Sequence, residues 1–118
     1  MSPKENKAVV RRLFENVWNQ GNIDVLKEII APDMIDHKND GTQVVSDPRD
    51  QAEIFRERFA GFKNIQVSCD ESIAEGDRVA IRWTASAVNG KTDKKLHKVH
   101  ICIYHIEDGK IAEAWTCF

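Results

Sequence analysis

Long apolar runs and an excess of charge of one sign are both missing from this chain. No hydrophobic stretch approaches the length that spans a bilayer, and the N-terminus lacks the apolar core of a signal peptide. The net charge of −2 gives no electrostatic reason to bind nucleic acid or an anionic membrane. We therefore expect a cytoplasmic protein with neither nucleic acid nor membrane as a partner.

Cysteine is also scarce, and no two cysteines form a CxxC pair. The three present are Cys69, Cys102 and Cys117. An odd number at this spacing is typical neither of a disulfide framework nor of a zinc site, so we predict free buried thiols.

Histidine supplies no metal site either. His97, His100 and His105 belong to one predicted strand, and because successive residues alternate in direction, His100 faces away from the other two. His97 and His105 are about 26 Å apart at the usual rise per residue. No HExxH motif or cysteine pair completes a ligand set. We therefore expect no metal and no cofactor.

What is present fits one globular domain over residues 1–118, with 42% hydrophobic and 31% charged residues. Residues 2–5 are a capping box with proline at the first helical position, and the helix that follows ends at Gly21. Asn22 caps a short second helix that Pro32 stops. A third helix opens at 46–48 and closes at Gly61.

The rest of the pattern predicts strands. A short strand covers Met34–Lys38, with His37 on the side opposite Asp36, and a polar loop follows at 39–46. From Asn64 onward, four long strands form an antiparallel meander. Segregated helices and strands predict an α+β fold, in which three N-terminal helices lie on a cone-shaped, mostly antiparallel sheet with a cavity between them.

The last hairpin turns at Asp108-Gly109, which suits a two-residue loop. Pairing Glu107 with Lys110 places Tyr104 opposite Glu113 and gives the hairpin two faces. We predict that the nearly apolar face packs on the helices. Its members are Val99, Ile101, Ile103, Ala112, Ala114 and Phe118, with His105 and Thr116. The mixed face is either a pocket wall or a subunit interface. Its members are His100, Cys102, Tyr104, Ile106, Ile111, Glu113, Trp115 and Cys117.

Four segments of the chain form a recognisable pattern. They are Leu13-Phe14 through Trp18-Asn19-Gln20-Gly21-Asn22, Asp36-His37, Gly76-Asp77-Arg78-Val79-Ala80-Ile81-Arg82-Trp83, and Glu107-Asp108-Gly109-Lys110-Ile111 through Glu113 and Trp115. In this order and spacing they resemble the SnoaL-like polyketide cyclases of the nuclear transport factor 2-like superfamily. The resemblance covers essentially the whole chain. It implies a curved-sheet cone with a deep, mostly apolar pocket, often dimerised through the outer sheet face. Such families include cyclases, steroid isomerases, epoxide hydrolases, dehydratases and non-catalytic binding domains.

The chain also departs from the catalytic patterns of these families. The cyclases usually carry an acid–base aspartate four residues after the tryptophan that matches Trp115, a position beyond Phe118. The epoxide hydrolases use Arg-x-Asp on a central strand, where this chain has Arg82 and Thr84. The steroid isomerases pair a tyrosine with a protonated aspartate, and we match no such pair. The resemblance therefore implies a fold more strongly than an activity.

We predict a catalytic set of His37, Glu113, Arg82 and Tyr104. His37 is a candidate general base, with a solvent-facing or capping histidine as the alternative. Glu113 could transfer protons if an apolar shell raises its pKa, or it is a cross-strand partner or an interface ion pair. Arg82 and Tyr104 would stabilise an oxyanion, unless Arg82 is exposed on the sheet or paired with Glu113.

We assign ligand binding to four further residues, whose tryptophans could equally belong to the core. They are Trp18, Trp83, His100 and Trp115.

Two functions remain open from sequence. The first is an enzyme that transfers a proton next to the carbonyl of an apolar small molecule. The second is a non-catalytic domain of the same fold that binds a ligand or a partner chain. In either case we expect a homodimer through the outer sheet face, because the meander has more apolar residues than one helical layer can cover.

Overall fold

The helices lie within the first 61 residues of the chain, as the sequence predicts. The computed structural model describes residues 1–117, and of Cys117 only the backbone. Helix α1, Pro3–Arg12, continues directly into a π-helical segment, Leu13–Trp18. A short 3₁₀ turn, Ile23–Val25, leads into α2, Leu26–Ile29, and α3 spans Pro48–Gly61. No helix in this described part of the chain is both long and apolar enough to cross a membrane.

Two capping boxes set where α1 and α3 begin. The Ser2 hydroxyl accepts a hydrogen bond from the Glu5 backbone N–H at 3.1 Å, and the Glu5 carboxylate accepts one from the Ser2 N–H. Asp47 and Asp50 make the same reciprocal pair at 2.8 and 3.0 Å. Each box satisfies backbone donors that have no partner within the helix.

The sheet has six strands in the order β2-β1-β6-β5-β4-β3. They are β1 Ile30–His37, β2 Gln43–Ser46, β3 Phe62–Glu75, β4 Arg78–Asn89, β5 Lys95–Glu107 and β6 Lys110–Cys117. Strand β1 pairs in parallel with β6, and the other neighbours are antiparallel. The predicted α+β fold, with three helices against a curved and mostly antiparallel sheet, is confirmed.

Two strand boundaries differ from the prediction. Strand β1 begins at Ile30 rather than Met34, because the pairing with β6 already starts there, across from Ile111. The predicted loop at 39–46 contains the edge strand β2, whose four residues are too few to show an alternating pattern. Pairing with β1, which sets Met34 opposite Ser46, makes this segment a strand.

A β-bulge in the last hairpin overturns the predicted register. Ile106 pairs with Ile111 as expected, but the next pair is His105 with Glu113, so Ala112 is an extra residue on β6. Because a one-residue shift reverses the face of every later side chain, Glu113 lies across from His105 and not from Tyr104.

The face of β5 that packs on the helices is also the opposite of the predicted one. The helices cover the mixed face, where Cys102, Tyr104 and Ile106 are buried. Val99, Ile101 and Ile103, which were predicted to pack on the helices, are 56%, 55% and 41% exposed on the outer face. The pairing with β4 accounts for this orientation, because the buried residues of β4 lie directly across from the mixed face of β5. Phe118, also placed on the apolar face, lies outside the described residues.

The core sits between the helices and the inner face of the sheet. Phe14, on the π-helical segment, is 1% exposed, and its ring centroid lies 5.0 Å from that of Trp83 and 6.4 Å from that of Tyr104. Cys69 and Cys102 are free thiols, as predicted, but Cys69 is exposed and only Cys102 is buried. The side chain of Cys117 lies outside the described part.

Candidate functional site

Two adjoining cavities lie between the helices and the inner face of the sheet. The outer one, which we call the mouth cavity, has a volume of about 330 Å³. Its lining is Trp18, Arg58, Phe62, Ile65, Trp83, Ala85, Ser86, Ala87, Leu96, Lys98 and His100. The deeper one, the inner cavity, has about 50 Å³. Its lining is Leu13, Trp18, Ile30, Met34, Asp36, Gln51, Phe55, Arg58, Trp83, Tyr104, Ile111, Ala114 and Thr116.

Trp18 and Trp83 line both cavities, and further rings pack against these two. The Trp18 ring lies 4.8 Å from Phe55 and 5.9 Å from Trp83, measured between centroids. Phe59 contacts Trp18 at 6.3 Å, and His100 lies 4.5 Å from Trp83. Because large rings that pack on one another lose little freedom when a ligand arrives, these rings are suited to hold a flat apolar molecule.

Arg58 lies where the two cavities meet. Its guanidinium carbon is 5.2 Å from the ring centroids of both Trp18 and Phe55, within the range of cation–π attraction. Burial lowers the pKa of Arg58, an effect that the nearby Asp36 carboxylate and Tyr104 oppose. Since free arginine titrates far above neutrality, the side chain keeps its positive charge.

Asp36 contributes a carboxylate to the inner cavity. Strand alternation directs Asp36 and Met34 inward, and Asp36 pairs with the buried Ala114 of β6. The side chain is 16% exposed, and the Lys38 ammonium donates a hydrogen bond to it at 3.0 Å. The Thr116 hydroxyl donates a longer one, at 3.4 Å. A carboxylate placed here can accept a proton from a bound molecule.

Tyr104 contributes a phenol to the same cavity. It is 6% exposed, and burial, followed by the neighbouring Cys102 thiol, raises the pKa of Tyr104 well above its ordinary value of 10. The phenol is therefore protonated at neutral pH and can donate a hydrogen bond. A carboxylate that can accept a proton and a hydroxyl that can donate a hydrogen bond thus line one small, largely apolar space.

The outer face of the sheet carries a separate polar network. His37 Nε2 lies 2.8 Å from one oxygen of Glu113, and His105 Nδ1 lies 3.3 Å from the other. The second ring nitrogen of His105 lies 2.8 Å from Asp77. The ring of His37 stacks on Trp115 with centroids 4.6 Å apart. We call the hydrogen-bonded side chains Asp77, His105, Glu113 and His37 the outer-face network.

The predicted catalytic residues do not converge on one cavity. Tyr104 lines the inner cavity, whereas His37 and Glu113 meet each other on the opposite face of the sheet. Arg82 is 45% exposed and lies 3.7 Å from Asp70 and 3.6 Å from Glu71, which matches the alternative of an arginine exposed on the sheet.

Three of the four predicted ligand-binding residues line the mouth cavity, and one does not. Trp18, Trp83 and His100 line the mouth cavity. Trp115 lies outside it, because the bulge pairs it with the exposed Ile103 and Arg78 covers its ring at 4.9 Å.

Two residues of the inner cavity were not assigned a role from the sequence, although each left a signal. Arg58 follows Phe55 by three residues on α3, so the two share a helical face that a purely solvated arginine would avoid. Asp36 shares a strand face with the apolar Met34, which indicates that it points inward.

The outer-face network predicts that Glu113→Gln destabilises the protein in a pH-dependent way. Hydrogen bonds from His37, then from His105, lower the pKa of Glu113 below its ordinary value of 4.5. This stabilisation is therefore complete above pH 4.5 and is lost as the pH falls through the folded-state pKa. Urea titrations at neutral pH should show a loss of about 1 kcal/mol in unfolding free energy, with little difference in acid.

Glu107→Gln is the matched control and should have no such effect, because Glu107 lies at the exposed end of β5, next to the turn of the same hairpin. Equal unfolding free energies for wild type and Glu113→Gln at neutral pH would contradict the network's contribution.

Comparison with known proteins relates the chain to solved structures of the same fold. TsrD from Streptomyces laurentii is 17% identical, with a TM-score of 0.86 over 99% of this chain and 90% of that one. AclR from Streptomyces galilaeus, a proposed hydroxylase, is 24% identical, with a TM-score of 0.85 over 98% and 90%. IdmH from Streptomyces antibioticus, a proposed polyketide cyclase, is 21% identical, with a TM-score of 0.81 over 95% and 90%. At these identities the likeness shows the fold.

Sequence comparison gives the family. A search among curated proteins found no match. The family model described as SnoaL-like polyketide cyclase matches residues 8–118, nearly the whole chain. The chain therefore belongs to the SnoaL-like polyketide cyclase family.

Proposed function

We propose that this protein binds an apolar, carbonyl-containing small molecule between its helices and sheet, and transfers a proton at the carbon next to the carbonyl. The observation that carries the proposal is that a carboxylate, Asp36, and a protonated phenol, Tyr104, line one small cavity. Family membership supports a reaction of the cyclase or isomerase type.

Asp36 is the proposed base. Its carboxylate takes the proton from the carbon, and the electron pair of the broken C–H bond moves to the carbonyl oxygen to form an enolate. The proton can then return to another carbon of the same molecule, or the enolate carbon can attack a second carbonyl and close a ring, in which case the proton passes from Asp36 to the new alkoxide oxygen. The carboxylate is regenerated in either case, so no cofactor or co-reactant is needed.

Tyr104 is the proposed oxyanion donor. Its high pKa keeps the hydroxyl protonated, and a donor in a dry cavity stabilises the enolate oxygen more than the neutral carbonyl. Trp18, Trp83 and His100 would hold the rest of the molecule in the mouth cavity. His37 and Glu113 lie on the other face of the sheet, and we do not assign them to the proton transfer.

The catalytic proposal predicts that Asp36→Asn abolishes exchange of the acidic carbon-bound protons of a probe ketone. β-Tetralone in deuterated buffer is a suitable probe, because NMR follows its exchange without knowledge of the natural substrate. Wild type should exchange these protons faster than buffer alone does. The part of the exchange rate due to the protein should be about 100-fold lower for Asp36→Asn. Tyr104→Phe should remove about tenfold or more.

Asp33→Asn, an exposed carboxylate on the same strand, is the matched control and should retain full exchange. If wild type binds β-tetralone but exchanges it only at the buffer rate, catalysis is contradicted and the chain acts as a non-catalytic binding domain. If Asp36→Asn exchanges as fast as Asp33→Asn, the base is wrongly assigned.

We also propose a homodimer through the outer face of the sheet. Ile103 on β5 pairs with Ala80 on β4, which pairs with Ile73 on β3, so one apolar row crosses three strands. Ile73 is 63% exposed, and Ile101 beside the row is 55% exposed. Apolar patches of this kind, when left open to water, mark interfaces.

Light scattering at micromolar concentration should therefore give a dimer mass for wild type and a monomer mass for Ile103→Glu, because a carboxylate in the apolar row, across from Ala80, would have to lose its water on association. Val44→Glu introduces the same charge at an exposed position of the edge strand β2 and should leave the dimer intact. A monomeric wild type would overturn the assembly.

A further inference from the structure

The guanidinium of Arg58 has unused hydrogen-bonding capacity. The rings of Trp18 and Phe55 lie within cation–π range of it, but among the described residues its N–H groups have neither a hydrogen-bond acceptor within reach nor an ion-pair partner. Arginine presents five donors in a rigid fork. A cation that is shielded by aromatic rings and lines two cavities without an acceptor is costly, unless something else supplies one.

The described lining of the mouth cavity carries basic side chains and no acidic ones. The ionisable side chains among its eleven described lining residues are Arg58, Lys98 and His100, and none of the eleven is an aspartate or glutamate. This differs from the chain as a whole, in which 19 acidic residues outnumber 17 lysines and arginines. The positive lining attracts an anion into a space whose remaining walls are mostly apolar.

The carboxylate nearest to Arg58 belongs to the other cavity. Asp36 lines the inner cavity, and its carboxylate already accepts hydrogen bonds from Lys38 and Thr116. An anion on the mouth side of Arg58 would therefore meet the fork of the guanidinium without direct competition from this carboxylate, while Asp36 remains available on the inner side.

We propose that the molecule bound in the mouth cavity is an aromatic or alicyclic acid, whose carboxylate pairs with the fork of Arg58. The inference rests on the proposed ligand cavity and narrows its ligand from an apolar molecule to an apolar anion. The rings of the acid lie against Trp18 and Trp83, and Lys98 adds positive potential at the opening. The flat guanidinium recognises the two carboxylate oxygens together, which a lysine could not do.

The test compares acids with uncharged molecules of the same shape. Benzoate, β-naphthoate and anthracene carboxylate are each titrated against their primary amides by tryptophan fluorescence and calorimetry at neutral pH. Wild type should bind at least one acid about tenfold or more tightly than its amide, the range expected for hydrogen bonds between charged groups. Arg58→Met should lose this preference and keep its affinity for the amide.

Arg56→Met is the matched control, since Arg56 is exposed on the same helix and paired with Glu53, and it should retain the preference. Arg58→Lys keeps the charge but not the forked arrangement of N–H donors, and it should lose most of the preference for acids. It replaces Arg58→Met in the test if the methionine variant does not fold. If wild type binds acids and amides equally, the anion inference is overturned while the ligand cavity stands. If wild type binds none of the six compounds, both are overturned.

Discussion

The extra residue in the last hairpin controls what each face of the sheet can do. Because Ala112 bulges out of β6, Ile111 and Ala114 both face the helices although they are three residues apart, and Glu113 faces outward beside His105. Without the bulge, Glu113 and Trp115 would point into the core. The bulge thus removes a carboxylate and an indole from the interior and leaves the inner cavity to Asp36, Tyr104 and Arg58.

This separation gives the outer-face network and the inner cavity different physical characters. On the outer face, Glu113 shares its charge between His37 and His105, which lowers its pKa, and its position holds it away from both cavities. Inside, burial raises the pKa of Tyr104. A protonated hydroxyl and a carboxylate that line one cavity with aromatic walls form the arrangement that the proposed enolate chemistry requires.

The order of the helices and long strands was predictable from capping boxes, turn dipeptides and alternation, because these signals are local. The short strand β2 was not, since its pairing with β1 creates it. The site prediction failed in two places. A bulge has no sequence signal here, and assuming an unbroken register put Glu113 and Trp115 on the face of Tyr104, whereas they lie on the outer face. Arg82, on β4, also lies on the outer face, across from the exposed Ile101. Residues on strands before the bulge, such as Trp83 and Tyr104, were assigned to the pocket side, and line the cavities.

The three tryptophans allow a direct test of which face takes the ligand. Each indole N–H gives its own signal in a nitrogen–proton correlation spectrum, and tryptophan-to-phenylalanine variants assign them. Titration with β-naphthoate should shift the signals of Trp18 and Trp83, which line the mouth cavity, and leave that of Trp115 unchanged on the outer face. A shift of Trp115 with Trp18 and Trp83 unmoved would contradict the account, because it would put the ligand on the outer face of the sheet.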